Sequence, residues 1–376
     1  MWRRALILLS ILFLPVPTFA QKTPAAKEAA VPAIHVVLFS PDGIEPPAGA
    51  TQKIGAAAKY AETFFAKWMK RWGYPPAREK IFPREKNDSI RVLHVRGSRP
   101  AGEYVSIAHL DLLKEMWPIA HKTYNLPENL PVWWVWVYLG DPPTRFKDYR
   151  GSGELRRGGW AVVNYENRPG VISPRMELGV GFHEEFTLKG CIHELGHALG
   201  LPHIGPRLKD RLGNTLMGPN MSVYNQILGA KESRVYLSQA AASMLWKHFV
   251  FSGTAEHRND LPSVRVQDFR TRYDRTRGEI EVTGKLESDG KAHSVVLADD
   301  ATPNQEDYWR KTYVARIGAD GRFSIRAREP SRSNGKFRLL FCFENGSVTG
   351  DGKHAELDHA FTKKYEFVGR DYRFEP

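Results

Sequence analysis

The chain has 376 residues, of which 42% are hydrophobic, 26% charged and 11% aromatic, proportions that allow a buried core and exclude a wholly disordered, collagenous or coiled-coil protein. A domain usually takes roughly 100–200 residues, so the length favours two folded units over one. The net charge of +12 lies almost entirely before residue 250 and is scattered rather than gathered into a basic arm, so nucleic acid is not expected as a partner.

The first twenty residues carry Arg3 and Arg4, an apolar run over 5–14, Pro15 and Pro17, and then Thr18, Phe19 and Ala20. This order reads as a secretory signal (1–20) cleaved after Ala20, which predicts a secreted or periplasmic protein. Residues 21–33 read as a flexible leader too short to be a folded prodomain. No later run approaches the ~18 apolar residues that span a bilayer, so no transmembrane anchor is expected. Cys191 and Cys342 are the only cysteines, too few for a disulfide scaffold, and a bridge between them is not expected. Cys342 is expected to be partly accessible.

Residues 34–39 read as a strand and 51–72 as a helix, with Ile54, Ala58, Ala61, Phe65 and Met69 at helical spacing. A strand over 89–95 and a helix over 107–124, bent at Pro118, follow. Two β-rich runs come next, 131–138 with its three tryptophans and 159–165. The tryptophan run reads as a buried strand rather than a carbohydrate platform. Helices are expected over 187–199 and 238–249. From about 263 the helical period gives way to short alternating runs at 279–286, 293–299, 312–317, 322–327, 337–343 and 360–368. Ala319-Asp320-Gly321 between two of them signals a tight hairpin. The fold class is therefore α+β: a mixed domain over 34–253, a linker over 254–262 and an all-β sandwich over 263–376.

One stretch carries chemistry: Cys191-Ile192-His193-Glu194-Leu195-Gly196-His197-Ala198-Leu199-Gly200-Leu201-Pro202-His203. Histidines four apart on a helix share a face one turn apart, so His193 and His197 can reach one metal ion. Leu188, Ile192, Leu195 and Leu199 can bury the other side, and Cys191 faces away from the metal. Gly200 falls where a helix ends in a left-handed residue and Pro202 discourages a restart, so the chain turns and His203 can return as a third ligand. Three nitrogens leave a tetrahedral position open for water, the pattern of a catalytic zinc site, and Glu194 can take a proton from that water. His183-Glu184-Glu185-Phe186-Thr187 begins the same way but has Thr187 where a second histidine is needed, and reads as a polar loop.

These residues resemble the metzincin clan of zinc endopeptidases, whose signature is H-E-x-x-H-x-x-G-x-x-H followed by a methionine-containing turn. Met217, in Asn214-Thr215-Leu216-Met217-Gly218-Pro219, stands where that turn is expected. The resemblance implies one catalytic zinc held by His193, His197 and His203, Glu194 as general base and acid, Met217 as an apolar floor, and a cleft between subdomains at about 34–200 and 201–250. It implies a protein or peptide substrate lying along an edge strand, for which 158–165 is the candidate, with Trp160, Ala161, Val162 and Val163 as substrate-binding residues. It reaches the clan and no family within it. Ile204 follows the third histidine where astacins have Glu, serralysins Pro, reprolysins Asp and matrixins usually Ser. Pro219 stands where astacins and serralysins place a metal-binding tyrosine, and Tyr224, the nearest tyrosine, is not read as a ligand. The C-terminal part resembles carboxypeptidase-regulatory-like and other immunoglobulin-like accessory domains.

The reading is a secreted zinc metalloendopeptidase. Its alternatives are a zincin-like binding or adhesion protein without catalysis, and a zinc hydrolase of a non-peptide bond. Because every motif position precedes Gly253, the first domain is expected to hold its metal unaided.

Overall fold

The 34–39 run is almost wholly apolar, as expected of a strand buried on both faces, and it forms β1 (Ile34–Ser40) near the middle of a sheet. The computed structural model describes residues 33–126, 132–141, 144–254, 260–301, 307–348 and 361–375. The signal and nearly all of the leader, and most of the 254–262 linker, lie outside the described residues. After β1 come α1 (Ala50–Arg71), β2 (Val92–Arg96), α2 (Ala101–Tyr104), α3 (His109–Tyr124), β3 (Val132–Val137), β4 (Arg150–Glu154), β5 (Gly158–Asn164), α4 (Gly181–Glu185) and α5 (Leu188–Ala198). Helix α3 continues through Pro118.

The five strands stand in the order β2-β1-β3-β5-β4, parallel except for β4, which runs antiparallel to β5. Alternate side chains serve two cores. Val36, Leu38, Trp134, Trp136, Ala161 and Val163 pack with α1 and α5, whereas Val37, Phe39, Trp133, Val135 and Val162 pack with α3. All three tryptophans of β3 are buried. The five apolar positions expected to face inward from the first helix, Ile54, Ala58, Ala61, Phe65 and Met69, are buried.

The chain then forms β6 (Asn214–Thr215), α6 (Met221–Leu228), β7 (Val235–Tyr236), α7 (Gln239–Leu245) and α8 (Phe249–Ser252). The single helix expected over 238–249 is thus two, the second capped by the His248 side chain, which accepts from the Val250 N–H. The remainder is all β: β8 (Arg265–Asp274), β9 (Glu279–Glu287), β10 (Ala292–Ala301), β11 (Lys311–Arg316), β12 (Arg322–Ala327), β13 (Gly335–Phe343), β14 (Thr362–Val368) and β15 (Asp371–Phe374). They make two antiparallel sheets, β11-β10-β13-β14-β15 and β12-β9-β8, sharing a core that includes Ile280, Val282, Leu297, Phe323, Leu339 and Phe341.

Two expectations are corrected here. Gly321 does turn the chain at φ 81°, but β11 and β12 do not pair as a hairpin; each joins a different sheet, so the turn is a corner between layers. Cys342 is buried rather than accessible, because the outer face of β13 packs against α7, with Sγ 4.0 Å from Ser243 Oγ. Both cysteines are free. Val296, Leu340 and Cys342 belong to the same core as α1, α5 and α7, so the all-β region and the mixed region share buried surface within one compact unit from Pro32 onward.

Candidate metal centre

Helix α5 ends as its sequence dictates. Gly200 takes φ +83°, its N–H donates to His197 O at 2.8 Å, and Leu201 N–H donates to Gly196 O at 3.0 Å, the paired bonds of a Schellman stop. A Cβ at Gly200 would lie 2.2 Å from the Leu155 nitrogen, so close packing on β4's end adds a second need for glycine. The stop delivers the carbonyl of Leu201 to His197, whose Nδ1–H donates to it at 2.8 Å. His193 Nδ1–H donates to Leu216 O at 2.8 Å, and His203 Nδ1–H to the Asp307 carboxylate at 2.6 Å.

Every one of those partners only accepts, so each proton sits on Nδ1 and each Nε2 is left with a lone pair. The Nε2 atoms converge: His197 Nε2 is 3.1 Å from that of His193 and 3.0 Å from that of His203. Three lone pairs aimed at one point repel unless a cation lies between them, and among the described residues this is the one cluster of three or more His, Cys, Asp or Glu side chains able to hold a metal. The donor set fits a metal of the imidazole-preferring class, and acceptors behind the rings are what such ligands need to keep their tautomer. Burial holds the His193 imidazole well below its ordinary pKa, keeping it neutral and able to ligate.

Met217, 1% exposed, packs against α5 at Gly196, where an added Cβ would stand 2.5 Å from its sulfur. Its carbonyl accepts from the Ile204 N–H at 3.1 Å, tying the turn to the third histidine's loop. Buried Lys189 donates to Gly218 O and Pro219 O at 3.1 and 2.7 Å; burial lowers its ammonium pKa to about 7.

Glu194 lies beside the histidines and is fixed from the sheet: the Gly151 N–H of β4 donates to its Oε2 at 2.5 Å. Burial pushes its carboxyl up to about 7, opposed by that bond and by the charges of Arg150 and Lys189. A Cβ at Gly151 would fall 2.1 Å from the Glu194 carbonyl oxygen, and one at Gly153 2.4 Å from that of Ala198, so the two glycines are what let β4 lie directly on α5. Two cavities meet at this carboxylate. One, of about 620 Å³, includes Arg150, His203, Arg310 and Arg338 in its wall; the other, of about 660 Å³, includes Leu178, Lys189, Pro219 and Met221; Tyr149, Glu194 and Tyr308 line both.

The structure thus brings His193, Glu194, His197, His203 and Met217 together. It does not place 158–165 at an edge. β5 is flanked by β3 and β4, and β4 is the edge strand. Trp160 and Val162 belong to the face packed with α3, away from α5, and Ala161, Val162 and Val163 are buried, so the edge-strand reason for assigning these residues to substrate is removed. His183 belongs to a short helix rather than a polar loop; it is buried, accepting from Ser173 N–H at 3.0 Å and bonding Glu177 O at 3.1 Å. Tyr224 stacks on Trp309 with ring centroids 6.0 Å apart. Sequence reasoning missed Tyr149, Gly151, Lys189, Asp307 and Tyr308. The Gly-x-Gly of β4 was the available signal, since glycines in a strand mark close backbone approach.

No protein-family model and no curated protein matches this sequence. The fold is nevertheless that of solved structures of OgpA from Akkermansia muciniphila. A catalytically inactive OgpA in complex with an O-glycopeptide (glycodrosocin) substrate superposes with a TM-score of 0.67 at 19% identity, over 96% of this chain and 100% of that one. Wild-type OgpA gives a TM-score of 0.67 at 18% identity, over 97% and 100%. The class is therefore a mixed α+β protein of the OgpA fold with a three-histidine cluster at its cleft.

Proposed function

We propose that this chain is a zinc-dependent endopeptidase of metzincin type, exported by a signal ending at Ala20, with a catalytic part over 34–253 and a β accessory part over 263–376. The observation that carries the reading is the convergence of three Nε2 atoms beside a half-buried, backbone-anchored Glu194. His193, His197 and His203 would hold the metal. Zinc, when bound, supplies Lewis acidity that favours deprotonation of water and the build-up of negative charge on a scissile carbonyl. Glu194, with its carboxyl pKa near neutrality, accepts the proton as water attacks the carbonyl carbon and returns it to the amine nitrogen as the C–N bond breaks. The Gly151 N–H keeps that carboxylate aimed. Edge strand β4, which has no neighbouring strand on its outer side, offers an extended substrate a partner.

The O-glycopeptide held by OgpA favours a glycosylated peptide as the preferred substrate here, with the cavities beside Glu194 taking the residues that flank the cleaved bond. The test is a mass-spectrometric digest of one O-glycosylated peptide and its unglycosylated twin, with and without chelator. Chelator-sensitive cleavage of a peptide bond, faster in the glycosylated form, is expected. Absence of cleavage in both peptides would overturn the peptidase reading, and equal rates would overturn the glycan preference.

A further inference from the structure

The third histidine differs from the other two in where its support comes from. His193 and His197 are held by carbonyls of Leu216 and Leu201, whereas the acceptor for His203 is Asp307, 104 residues away in the all-β region. The next residue, Tyr308, lays its ring over the His203 imidazole with centroids 3.7 Å apart and planes inclined by 29°, and stands 6.0 Å from the His193 ring with planes inclined by 28°.

This segment is fastened on both sides. Gly205 N–H donates to Arg310 O at 2.7 Å, and a Cβ at Gly205 would stand 2.4 Å from the Trp309 carbonyl carbon, so only glycine admits that approach. Trp309 stacks on Tyr224 of α6 with planes 8° apart, and the Arg310 guanidinium pairs with Asp300 of β10. The loop after the third histidine is therefore tied to the β-region by backbone, ring and charge together.

We propose that residues 307–310 complete the metal centre: Asp307 is a positioning residue that fixes the tautomer and direction of His203, and Tyr308 holds the same ring in place by stacking. The inference rests on the metal-binding reading above and goes beyond it, since it makes the mixed region insufficient by itself. A carboxylate behind a ligating imidazole raises its basicity and fixes its orientation, and loss of such a partner typically lowers metal affinity by about 10- to 100-fold. It reverses the expectation that residues before Gly253 hold the metal unaided.

The test uses the full chain, stripped of metal and titrated with zinc against a chromogenic chelator, with the visible spectrum of the cobalt form as a second readout. Asp307→Ala is expected to weaken zinc binding about 10- to 100-fold and shift the cobalt bands. Asp307→Asn, which keeps an acceptor oxygen but no charge, is expected to fall between that variant and wild type and guards against a folding failure. Tyr308→Ala is expected to weaken binding, with Tyr308→Phe restoring it. Asp320→Ala, an exposed acid of the same region, is expected to change nothing. Wild-type affinity and an unchanged cobalt spectrum in both Asp307 variants would overturn the inference. A wild-type chain that fails to bind zinc at all would instead overturn the metal reading on which it rests.

Discussion

The stretch from Leu188 to Met217 and the segment from Asp307 to Arg310 both support the histidine cluster, but by different means. The first is nearly self-contained: a helix, its glycine stop and a buried methionine turn supply two of the three acceptors from within thirty residues. His193 and His197 are accordingly buried to 7% exposure. The second reaches in from another sheet, and the ligand it supports, His203, keeps 19% of its side chain exposed, with Asp307 at 47%. The cluster therefore has a buried pair held from within its own stretch and a third, more exposed member held by tertiary packing.

The largest effect short of removing a ligand or Glu194 is expected at the point where β4 touches the self-contained stretch. Gly151→Ala places a methyl group 2.1 Å from the Glu194 carbonyl oxygen, so strand and helix must part and the Gly151 bond to the Glu194 carboxylate is lengthened. A displacement of about 1 Å at a reacting group can cost ~10²-fold in rate. The expected outcome is a loss of that order in kcat/KM with zinc stoichiometry retained, because the histidines are held by Leu201, Leu216 and Asp307 rather than by β4. Wild-type kcat/KM would show that β4 does not aim the carboxylate.

A smaller effect sharpens the other side of the comparison, the seam between the mixed and all-β regions. His293 of β10 is buried there against Trp246 at 4.8 Å and Tyr74 at 6.3 Å. Burial, with Arg316 and Lys247 nearby, lowers its pKa from 6.5 to about 3. Between those values the unfolded chain takes up a proton that the folded chain does not, so this histidine's contribution to stability is fully present above pH 6.5 and falls as the pH drops. The loss is about 2 kcal/mol at pH 5. Urea midpoints at pH 7 and pH 5 should therefore lie closer together in His293→Gln than in wild type; an unchanged difference would show that His293 does not titrate at the seam.

The same division separates what the sequence makes legible from what it does not. Helix α1, strands β1 and β3, and helix α5 are readable to within a residue or two because each buries a face whose period is written locally. So is the constellation His193, Glu194, His197, His203 and Met217, where spacing along the chain is itself the geometry. Strand β4 is not, because Arg-Gly-Ser-Gly-Glu contains no β-branched or aromatic residue and exists as a strand only through pairing with β5 and the glycines' fit to α5. The turn at Gly321 is readable as a turn, but which sheet each flanking strand joins is decided by side chains far away. Asp307 and Tyr308 follow residues that carry no motif, and their meaning comes only from the fold that sets them on His203.

The central claim is that Glu194 moves the proton in a metal-dependent hydrolysis while taking no part in holding the metal. Glu194→Gln tests it most directly, since the amide oxygen can still accept from the Gly151 N–H and the shape of the site is kept. The account predicts a full complement of zinc, wild-type thermal stability and a peptide-cleavage rate lowered by about 10²- to 10⁴-fold, the range expected for loss of a general base. A zinc-replete Glu194→Gln chain that cleaved peptide at the wild-type rate would contradict it.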